Sequence, residues 1–224
     1  FVKESILEVQ NITKEVNSPE GVLTILKDVN LTINSGDVTS IVGPSGSGKT
    51  TLLAIMAGLD LPSRGRIMLM GHEITAMNED KRAQVRSNDV GFVFQSFHLL
   101  PRLSALDNVM LPLEILGDNN AKKKSLEALN QIGLEKRVKH LPNQLSGGEK
   151  QRVAIARAMV KQPKILFADE PTGNLDKTST EVISDLLFSI NRSFQTTIVI
   201  VTHDLLLAKN CETMHQLDEG SLKC

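Results

Sequence analysis

A glycine-rich loop with a lysine and a threonine is the first feature of this chain that could do chemistry. Glycines let backbone N–H groups approach an anion at a helix N-terminus, where unsatisfied donors and the helix dipole favour negative charge. The loop predicts a phosphate-binding site, with Lys49 directed at the β- and γ-phosphates and Thr50 at Mg²⁺. It matches the pattern G-x-x-x-x-G-K-[ST] through Gly43, Pro44, Ser45, Gly46, Ser47, Gly48, Lys49 and Thr50.

We reject the alternative that this loop is a chance glycine-rich turn. A chain of this length matches the pattern by accident about 1% of the time. An apolar strand pattern precedes the loop at residues 38–42 and a helical pattern follows it at residues 50–58, which lowers that chance further. We therefore include the neighbouring Thr51 with the loop residues as a nucleotide-binding candidate.

Two adjacent carboxylates, Asp169 and Glu170, end the apolar run at residues 165–168. Side chains of neighbouring residues on an extended segment diverge, so one carboxylate can hold Mg²⁺ while the other faces a different partner. An acidic turn at a strand end is the plain structural alternative. Because the same chain contains a predicted phosphate loop with Lys49, we favour the interpretation of this carboxylate pair as part of the site.

Four apolar runs, each predicted to be a strand, are followed directly by polar groups, which we expect to lie at one edge of a sheet. Ligands of open parallel sheets collect beyond the carboxyl ends of the strands. The groups that follow these runs are the phosphate loop from Gly43, Gln95, the Asp169-Glu170 pair and His203. Taken alone, a histidine such as His203 is more often a hydrogen-bonded residue at a strand end, and a glutamine such as Gln95 is more often a surface residue. The prediction of a nucleotide site therefore depends on all four groups lying at the same sheet edge.

A second glycine pair follows a serine in the stretch Leu-Ser-Gly-Gly-Glu-Lys-Gln at residues 145–151. Ser146 is a plausible N-cap for a helix beginning near Glu149, and that is the plain structural interpretation. A capped helix N-terminus with Gly147 and Gly148 is also an anion site. Because the chain already has one phosphate cradle, the second predicts a head-to-tail two-fold homodimer with two nucleotides at its interface.

The elements that must position these residues alternate between strands and helices. Near-continuous apolar runs at 165–168 and 198–201 are typical of parallel strands covered on both faces. Residues 6–13 and 28–33 predict strands of an N-terminal β region, joined through turn residues at 17–21. Gly71 and Gly220 each predict a hairpin. Further helices are expected at 178–191 and just after Asp204.

The sequence pattern changes from residue 96 to residue 144, where prolines separate short helical segments. Pro101, Pro112 and Pro142 are expected to interrupt short helical patterns, while residues 121–132 and 149–160 predict longer helices. We therefore expect one domain over 1–224, with a core at 1–95 and 161–224 and a helical subdomain inserted at 96–160.

Composition narrows the function classes. A net charge of −1 over 224 residues gives no global attraction to nucleic acid, and no nucleic-acid partner is expected. Cys211 and Cys224 are too few for a disulfide framework and suit a reducing compartment. The first residue is Phe rather than Met, and no run approaches the ~20 apolar residues of a membrane helix. These features predict a soluble protein that meets a membrane only through a partner.

Together these motifs resemble the nucleotide-binding subunit of an ABC transporter, over nearly the whole chain from residue 6 to about 220. The resemblance implies an α/β fold with a P-loop NTPase core, an N-terminal antiparallel β subdomain and an inserted α-helical subdomain. It implies ATP hydrolysis with Mg²⁺ held by Thr50, Asp169 and Gln95, and water activated by Glu170. It further implies that His203 contacts the γ-phosphate, and that the partner's ATP meets Ser146, Gly147, Gly148, Glu149 and Asp176.

The stretches FVFQSFHLLPRLSALDNVMLPL and ADEPTGNLD resemble one branch of that family, which serves lipoprotein release, macrolide efflux and related exporters. Within the branch, LLAIMAGL and LLFSIN resemble an uncharacterised-transporter ATPase most closely. The resemblance implies integral membrane permease subunits with a large periplasmic domain, moved mechanically to export or extract a lipophilic substrate. It also implies a location on the cytoplasmic face of a bacterial inner membrane.

The chain departs from the family pattern where an aromatic usually stacks on adenine. It has no Tyr and no Trp, and Val16 occupies the corresponding position. An aliphatic contact still excludes water from the base, but it loses a ring-on-ring contribution of roughly 1 kcal/mol. We therefore expect weak selectivity for ATP over GTP.

Two other functions remain open at this level. One is a regulatory ATPase that signals through a membrane partner to a periplasmic enzyme. The other is a soluble ABC-type ATPase acting on DNA or ribosomes. The net charge near zero and the single cassette disfavour the latter.

Overall fold

The fold is built on two sheets, and the computed structural model describes residues 4–19 and 21–223. Glu20 of the first turn and Cys224 lie outside the described residues. Within the described part, a six-stranded sheet has the order β10-β9-β3-β8-β7-β6, and a four-stranded sheet has the order β2-β1-β4-β5. The strands are β1 Ser5–Ser18, β2 Gly21–Asn34, β3 Val38–Val42, β4 Arg64–Leu69, β5 His72–Glu73, β6 Val90–Val93, β7 Ile165–Asp169, β8 Thr197–Thr202, β9 Thr213–Asp218 and β10 Ser221–Lys223.

The larger sheet is parallel except at β10, and its central strands are buried on both faces. All residues of β3 and β8 are buried, as their uninterrupted apolar and small side chains predict. Val42 of β3 lies opposite Thr202 of β8, and Asp169 of β7 lies opposite Val201. The carboxyl ends of these strands therefore meet at one edge.

The smaller sheet is antiparallel, and its alternation follows the sequence pattern. Val29, Leu31 and Ile33 of β2 are buried, while Asn30 and Thr32 between them are exposed. Both hairpins expected at glycines are present: β4 pairs antiparallel with β5 around Gly71, and β9 pairs antiparallel with β10 around Gly220.

Seven α-helices fall within the described residues. Three of them, α3, α4 and α5, share a hydrophobic cluster of their own, centred on Val109, Leu129 and Val153. No helix in the described part of the chain is long and apolar enough to cross a membrane. The helices are α1 Lys49–Met56, α2 Glu79–Asp89, α3 Ala105–Ile115, α4 Ala121–Gln131, α5 Gly147–Met159, α6 Lys177–Phe194 and α7 Leu205–Lys209.

Two helices differ from the sequence expectation. Pro112 does not interrupt a helix, because α3 continues through it to Ile115. One lost backbone hydrogen bond is tolerated there, since Val109 and Leu113 on either side are buried in the helical cluster. Helix α2 is not predicted from the sequence, because it has no buried residue and therefore no apolar periodicity. Asn78 caps its N-terminus.

Candidate active site

The phosphate loop connects the buried strand β3 to helix α1. Gly46 and Gly48 have φ angles of 80° and 99°, which favour glycine. A Cβ on Gly43 would lie 2.1 Å from the Leu217 carbonyl oxygen, so only glycine fits at the end of β3. Gly48 caps α1 without a side-chain hydrogen bond. The first backbone N–H groups of α1 are thus left for an anion.

The side chains of the loop divide between its interior and its surface. Lys49 is buried, and its Nζ donates to the carbonyl oxygens of Gly43 and Pro44 at 2.9 Å each. Ser47 is also buried, and its Oγ has no hydrogen-bond partner among the described residues. Pro44, Ser45 and Gly46 are exposed, while Thr51 is half-buried in the first turn of α1.

Thr50 and Asp169 form a pair of oxygen donors at the end of the sheet. The Thr50 hydroxyl donates to Asp169 Oδ1 at 3.2 Å. Burial raises the pKa of the Asp169 carboxyl, and the hydrogen bond from Thr50 partly opposes that rise. Hydroxyl and carboxylate oxygens are the protein ligands that Mg²⁺ prefers, together with water and phosphate.

Glu170 faces a different set of partners from Asp169. Its Oε2 lies 2.9 Å from His203 Nδ1 and accepts from the His203 backbone N–H and the Thr202 hydroxyl at 3.2 Å each. Glu170 has a left-handed φ of 45°, which turns its side chain towards β8. Its Oε1 accepts no hydrogen bond among the described residues, so this oxygen is available to water.

Gln95 follows β6 and lies beside the loop after Glu170. Asn174 Nδ2 donates to the Gln95 carbonyl oxygen at 3.2 Å. A Cβ on Gly173 would lie 3.0 Å from Gln95 Nε2, so the absence of a side chain at Gly173 admits this amide. Gln95 is thereby held near the segment that carries Asp169 and Glu170.

The N-terminus of α5 carries a reciprocal capping box, as the plain interpretation of Ser146 expects. Ser146 Oγ accepts from the Glu149 N–H at 3.2 Å, and Glu149 Oε2 accepts from the Ser146 N–H at 2.8 Å. The Ser146 backbone bond lowers the pKa of Glu149, and Arg137, whose Nε lies 3.0 Å from Glu149 Oε1, lowers it further. The helix therefore begins with a stabilised negative charge.

Gly147 and Gly148 lie against the segment that leads into α6. A Cβ on Gly148 would lie 2.7 Å from Ser179 Oγ, and one on Gly147 would lie 3.3 Å from Leu175 Cδ2. Asp176 caps α6 through the Ser179 N–H at 2.9 Å, and this bond lowers its pKa. Among the described residues, no hydrogen bond joins this end of α5 to the phosphate loop.

Val16 lies in the antiparallel sheet, half-buried and opposite Leu23. The same sheet reaches the phosphate loop further along β2, since a Cβ on Gly48 would lie 3.0 Å from both the Ile25 carbonyl oxygen and Leu26 Cδ2. Val16 and Leu23 therefore lie on a sheet that packs directly against the loop.

Comparison with known proteins identifies this arrangement. The sequence profile of the ABC transporter family matches residues 26–173. This chain belongs to the ABC transporter family. It is 50% identical to the uncharacterized ABC transporter ATP-binding protein YbbA of Escherichia coli (strain K12), over 98% of this chain and 97% of that protein. It is 45% identical to the lipoprotein-releasing system ATP-binding protein LolD of Legionella pneumophila (strain Lens), over 99% of this chain and 98% of that protein.

Solved structures agree with the family. The ATP-binding cassette MJ0796, in a dimeric post-hydrolysis state bound to ADP and Pi, matches with a TM-score of 0.90 and 40% identity over 97% of each chain. The expected fold class, ABC-type ATPase family and lipoprotein-release-like branch are thereby confirmed.

The cassette brings some of the candidate residues together and leaves others apart. The phosphate loop, Asp169, Glu170 and His203 meet at one sheet edge, and Gln95 adjoins them through the loop after Glu170. The residues of the α5 N-terminus and Asp176 form a separate group. Thr202 is a site residue that sequence reasoning missed: it is buried, and its hydroxyl joins Glu170 Oε2 to the Asp204 N–H.

Proposed function

We propose that two copies of this cassette bind two ATP molecules head to tail and that hydrolysis drives integral membrane permease subunits. The convergence of Lys49, the Thr50–Asp169 pair and the Glu170–His203 pair at one sheet edge carries the proposal. Phosphoryl transfer needs positioning and charge stabilisation more than covalent chemistry. These residues are of the types that supply both.

Lys49 and the loop N–H groups hold the phosphates in this proposal. The ammonium group is already inside the loop, on the carbonyl oxygens of Gly43 and Pro44. When ATP enters, the ammonium exchanges these oxygens for those of the β- and γ-phosphates. A charge-assisted bond to phosphate is stronger than one to a neutral carbonyl, which favours the exchange.

Mg²⁺ fits the donor set formed by the Thr50 hydroxyl, Asp169 and the Gln95 amide oxygen. Among the described residues no group of three or more His, Cys, Asp or Glu side chains gathers at one point. Such a sparse set suits an ion that keeps water and phosphate as its other ligands. When bound, Mg²⁺ neutralises charge on the phosphate oxygens.

Glu170 orients the attacking water and accepts its proton through Oε1, the oxygen that other described groups do not engage. Thr202 and the His203 N–H hold Oε2, so the carboxylate keeps one orientation. His203, whose side chain is 67% exposed, contacts the γ-phosphate from the same edge.

The second half of each site comes from the partner. The Ser146 hydroxyl and the N–H groups of Gly147 and Gly148 at the start of α5 meet the γ-phosphate bound by the other copy, with Glu149 and Asp176 beside them. Support comes from the glycine-rich N-terminus of α5, which is of the kind that binds anions. No hydrogen bond among the described residues joins it to the phosphate loop of the same chain. The related cassette MJ0796 is dimeric with ADP and Pi.

Membership of the LolD-like branch supports a permease partner at the cytoplasmic face of an inner membrane. LolD is named for lipoprotein release. We propose a lipophilic substrate, moved by mechanical closure of the cassette dimer beneath the permease. No nucleic-acid partner is proposed, given the net charge of −1.

Glu170→Gln tests the proposal. The amide keeps the shape of the side chain but cannot accept the proton, so we expect ATP binding to persist while kcat falls by at least ~100-fold. The ATP-bound variant should elute as a dimer in size-exclusion chromatography. Glu181→Gln, at an exposed position of α6, is the matched control with unchanged turnover. Robust hydrolysis by Glu170→Gln would remove Glu170 from this role.

A further inference from the structure

The loop after Gln95 contains two consecutive non-glycine residues in the left-handed region. Phe97 has φ 61° and His98 has φ 48°. Side chains with a Cβ rarely adopt this conformation, and it persists only where the surroundings over-determine it. The backbone at residues 97–98 therefore requires an external constraint.

Arg157 supplies that constraint from the last turn of α5. Its Nη1 donates to the His98 carbonyl oxygen at 2.6 Å, and its Nη2 donates to the Phe97 carbonyl oxygen at 2.9 Å. The fixed fork of one guanidinium thus fixes two successive peptide groups. Burial lowers the pKa of Arg157, but the group stays charged.

Two other side chains hold the ends of the same loop. Asn174 donates to the Gln95 carbonyl oxygen. Asn108, fully buried in α3, accepts from the Leu100 N–H at 2.8 Å and donates to the Leu103 carbonyl oxygen at 3.0 Å. The loop is thus positioned by three side chains from separate parts of the chain, and Arg157 is the one on α5.

Ring contacts also join the loop to the sheet. The rings of Phe92 and Phe94 are 4.2 Å apart, and those of Phe94 and His98 are 4.6 Å apart. Phe92 also stacks on Phe167 of β7 at 6.3 Å. Gln95 therefore belongs to a segment that ring contacts tie to the sheet and that a guanidinium ties to α5.

Helix α5 connects this constraint to the Ser-Gly-Gly end. Gly147 and Arg157 are ten residues apart, which corresponds to about 15 Å along a helix. A hydrogen-bonded helix moves as one body, so a displacement of its N-terminus also displaces Arg157. The Phe97 and His98 carbonyl groups must follow.

We propose that Arg157 is a positioning residue that transmits the position of α5 to Gln95. It touches neither nucleotide nor reacting atoms, and acts through the two carbonyl groups that follow Gln95. The inference rests on the roles given to Gln95 and the α5 N-terminus in the proposed function.

A double-mutant cycle between Arg157 and Gln95 tests this role in the full chain. Arg157→Met keeps the aliphatic length but removes both donors. We expect it to lower kcat at saturating ATP at least ~10-fold while KM for ATP changes less than about 2-fold, because Gln95 is misplaced but the phosphate loop is intact. In a Gln95→Ala background the same substitution should change kcat less than about 2-fold.

The control and alternative outcomes separate positioning from general stability. Arg192→Met, at an exposed position of α6, should leave kcat unchanged. Arg157→Lys keeps the charge but has one donor nitrogen in place of the fork, so it should recover only part of the activity. Arg157→Gln, which also lacks the fork, replaces Arg157→Met in the cycle if Arg157→Met does not unfold cooperatively. If Arg157→Met lowers kcat equally in the wild-type and Gln95→Ala backgrounds, or does not lower it at all, the inference about Arg157 is wrong while the proposed function stands. Full activity of Gln95→Ala would overturn both the inference and the proposed role of Gln95.

Discussion

Val16 is the residue expected against the nucleotide base, and it offers an aliphatic contact where the family usually has a ring. It is half-buried opposite Leu23, whose side chain is 56% exposed. Neither side chain can hydrogen-bond to a base edge. We therefore expect nucleotide recognition to depend mainly on the phosphates, which ATP and GTP share.

We expect the cassette to hydrolyse GTP with a kcat/KM within a few-fold of that for ATP. Val16→Tyr should tighten ATP binding about 5-fold, which corresponds to roughly 1 kcal/mol from stacking. Steady-state kinetics with ATP and with GTP measure the two kcat/KM values. Equilibrium titration measures the affinity of Val16→Tyr for ATP. Val16→Leu, which adds apolar area without a ring, is the matched control. Strict preference for ATP in the wild-type chain would contradict the expectation.

The helix α5 shows how one element serves both stability and function. Its first residues form a capping box, and the Glu149 carboxylate completes that box from N3. The Ser146 N–H and then Arg137 lower the pKa of Glu149 in the folded chain. Ionisation of Glu149 is therefore easier when the protein is folded, and its stabilising contribution depends on pH.

Glu149→Gln keeps a capping-box acceptor but loses the negative charge at the helix N-terminus, so it should destabilise the fold at neutral pH by roughly 0.3–1 kcal/mol, or up to a few degrees in Tm. A lowered folded pKa gives stability that is fully present above the unfolded value near 4.3 and is lost as pH falls through the folded pKa. The difference in Tm between wild type and variant should thus shrink below about pH 4. Thermal unfolding from pH 7 to pH 3 measures it.

Glu181→Gln serves as the control for that pH series, since Glu181 is exposed on α6. Its Tm should follow that of the wild-type chain at every pH. A Tm difference for Glu149→Gln that stays constant down to pH 3 would show that the cap does not depend on the charge of Glu149.

Elements with a strong local signal could be predicted from sequence, and those without one could not. The parallel strands are continuous apolar runs, and the phosphate loop is a fixed pattern of residue types. Helix α2 lacks buried residues, so no periodicity marks it. The Arg157 contacts span 59 and 60 residues, and no local pattern predicts which carbonyl a distant arginine will reach.

At the scale of the whole molecule, one sizeable cavity in the described part of the chain lies away from the phosphate loop. A cavity of about 850 Å³ lies between the helical cluster and α6 and is lined by Leu113, Met159, Leu186 and Phe194. None of the candidate site residues line it. Small ligands usually bind in concave sites that cover most of their surface. The phosphate loop has exposed residues at its surface, which is consistent with a site that a second chain completes.

A complementation experiment tests whether each site combines residues of two chains. Lys49→Ala removes the ammonium group from the phosphate loop, and Ser146→Arg places a long side chain where the partner's γ-phosphate is expected. Each variant alone should form only defective sites, because every site of a homodimer then carries the substitution. Each should lower Tm by no more than a few degrees, since Ser146→Arg removes one helix cap and Lys49→Ala removes the hydrogen bonds to two loop carbonyl groups.

Mixing the two inactive variants should restore activity if the dimer is head to tail. In a mixed dimer, the Ser146→Arg chain supplies an intact Lys49 to a site whose other half is the intact Ser146 of its partner, while the second site carries both substitutions. Random pairing of equal amounts makes half of the dimers mixed, so about a quarter of wild-type sites reappear if sites act independently. Chains that exchange partners freely yet give no activity on mixing would contradict the shared site, and activity of Ser146→Arg alone would place the whole site within one chain.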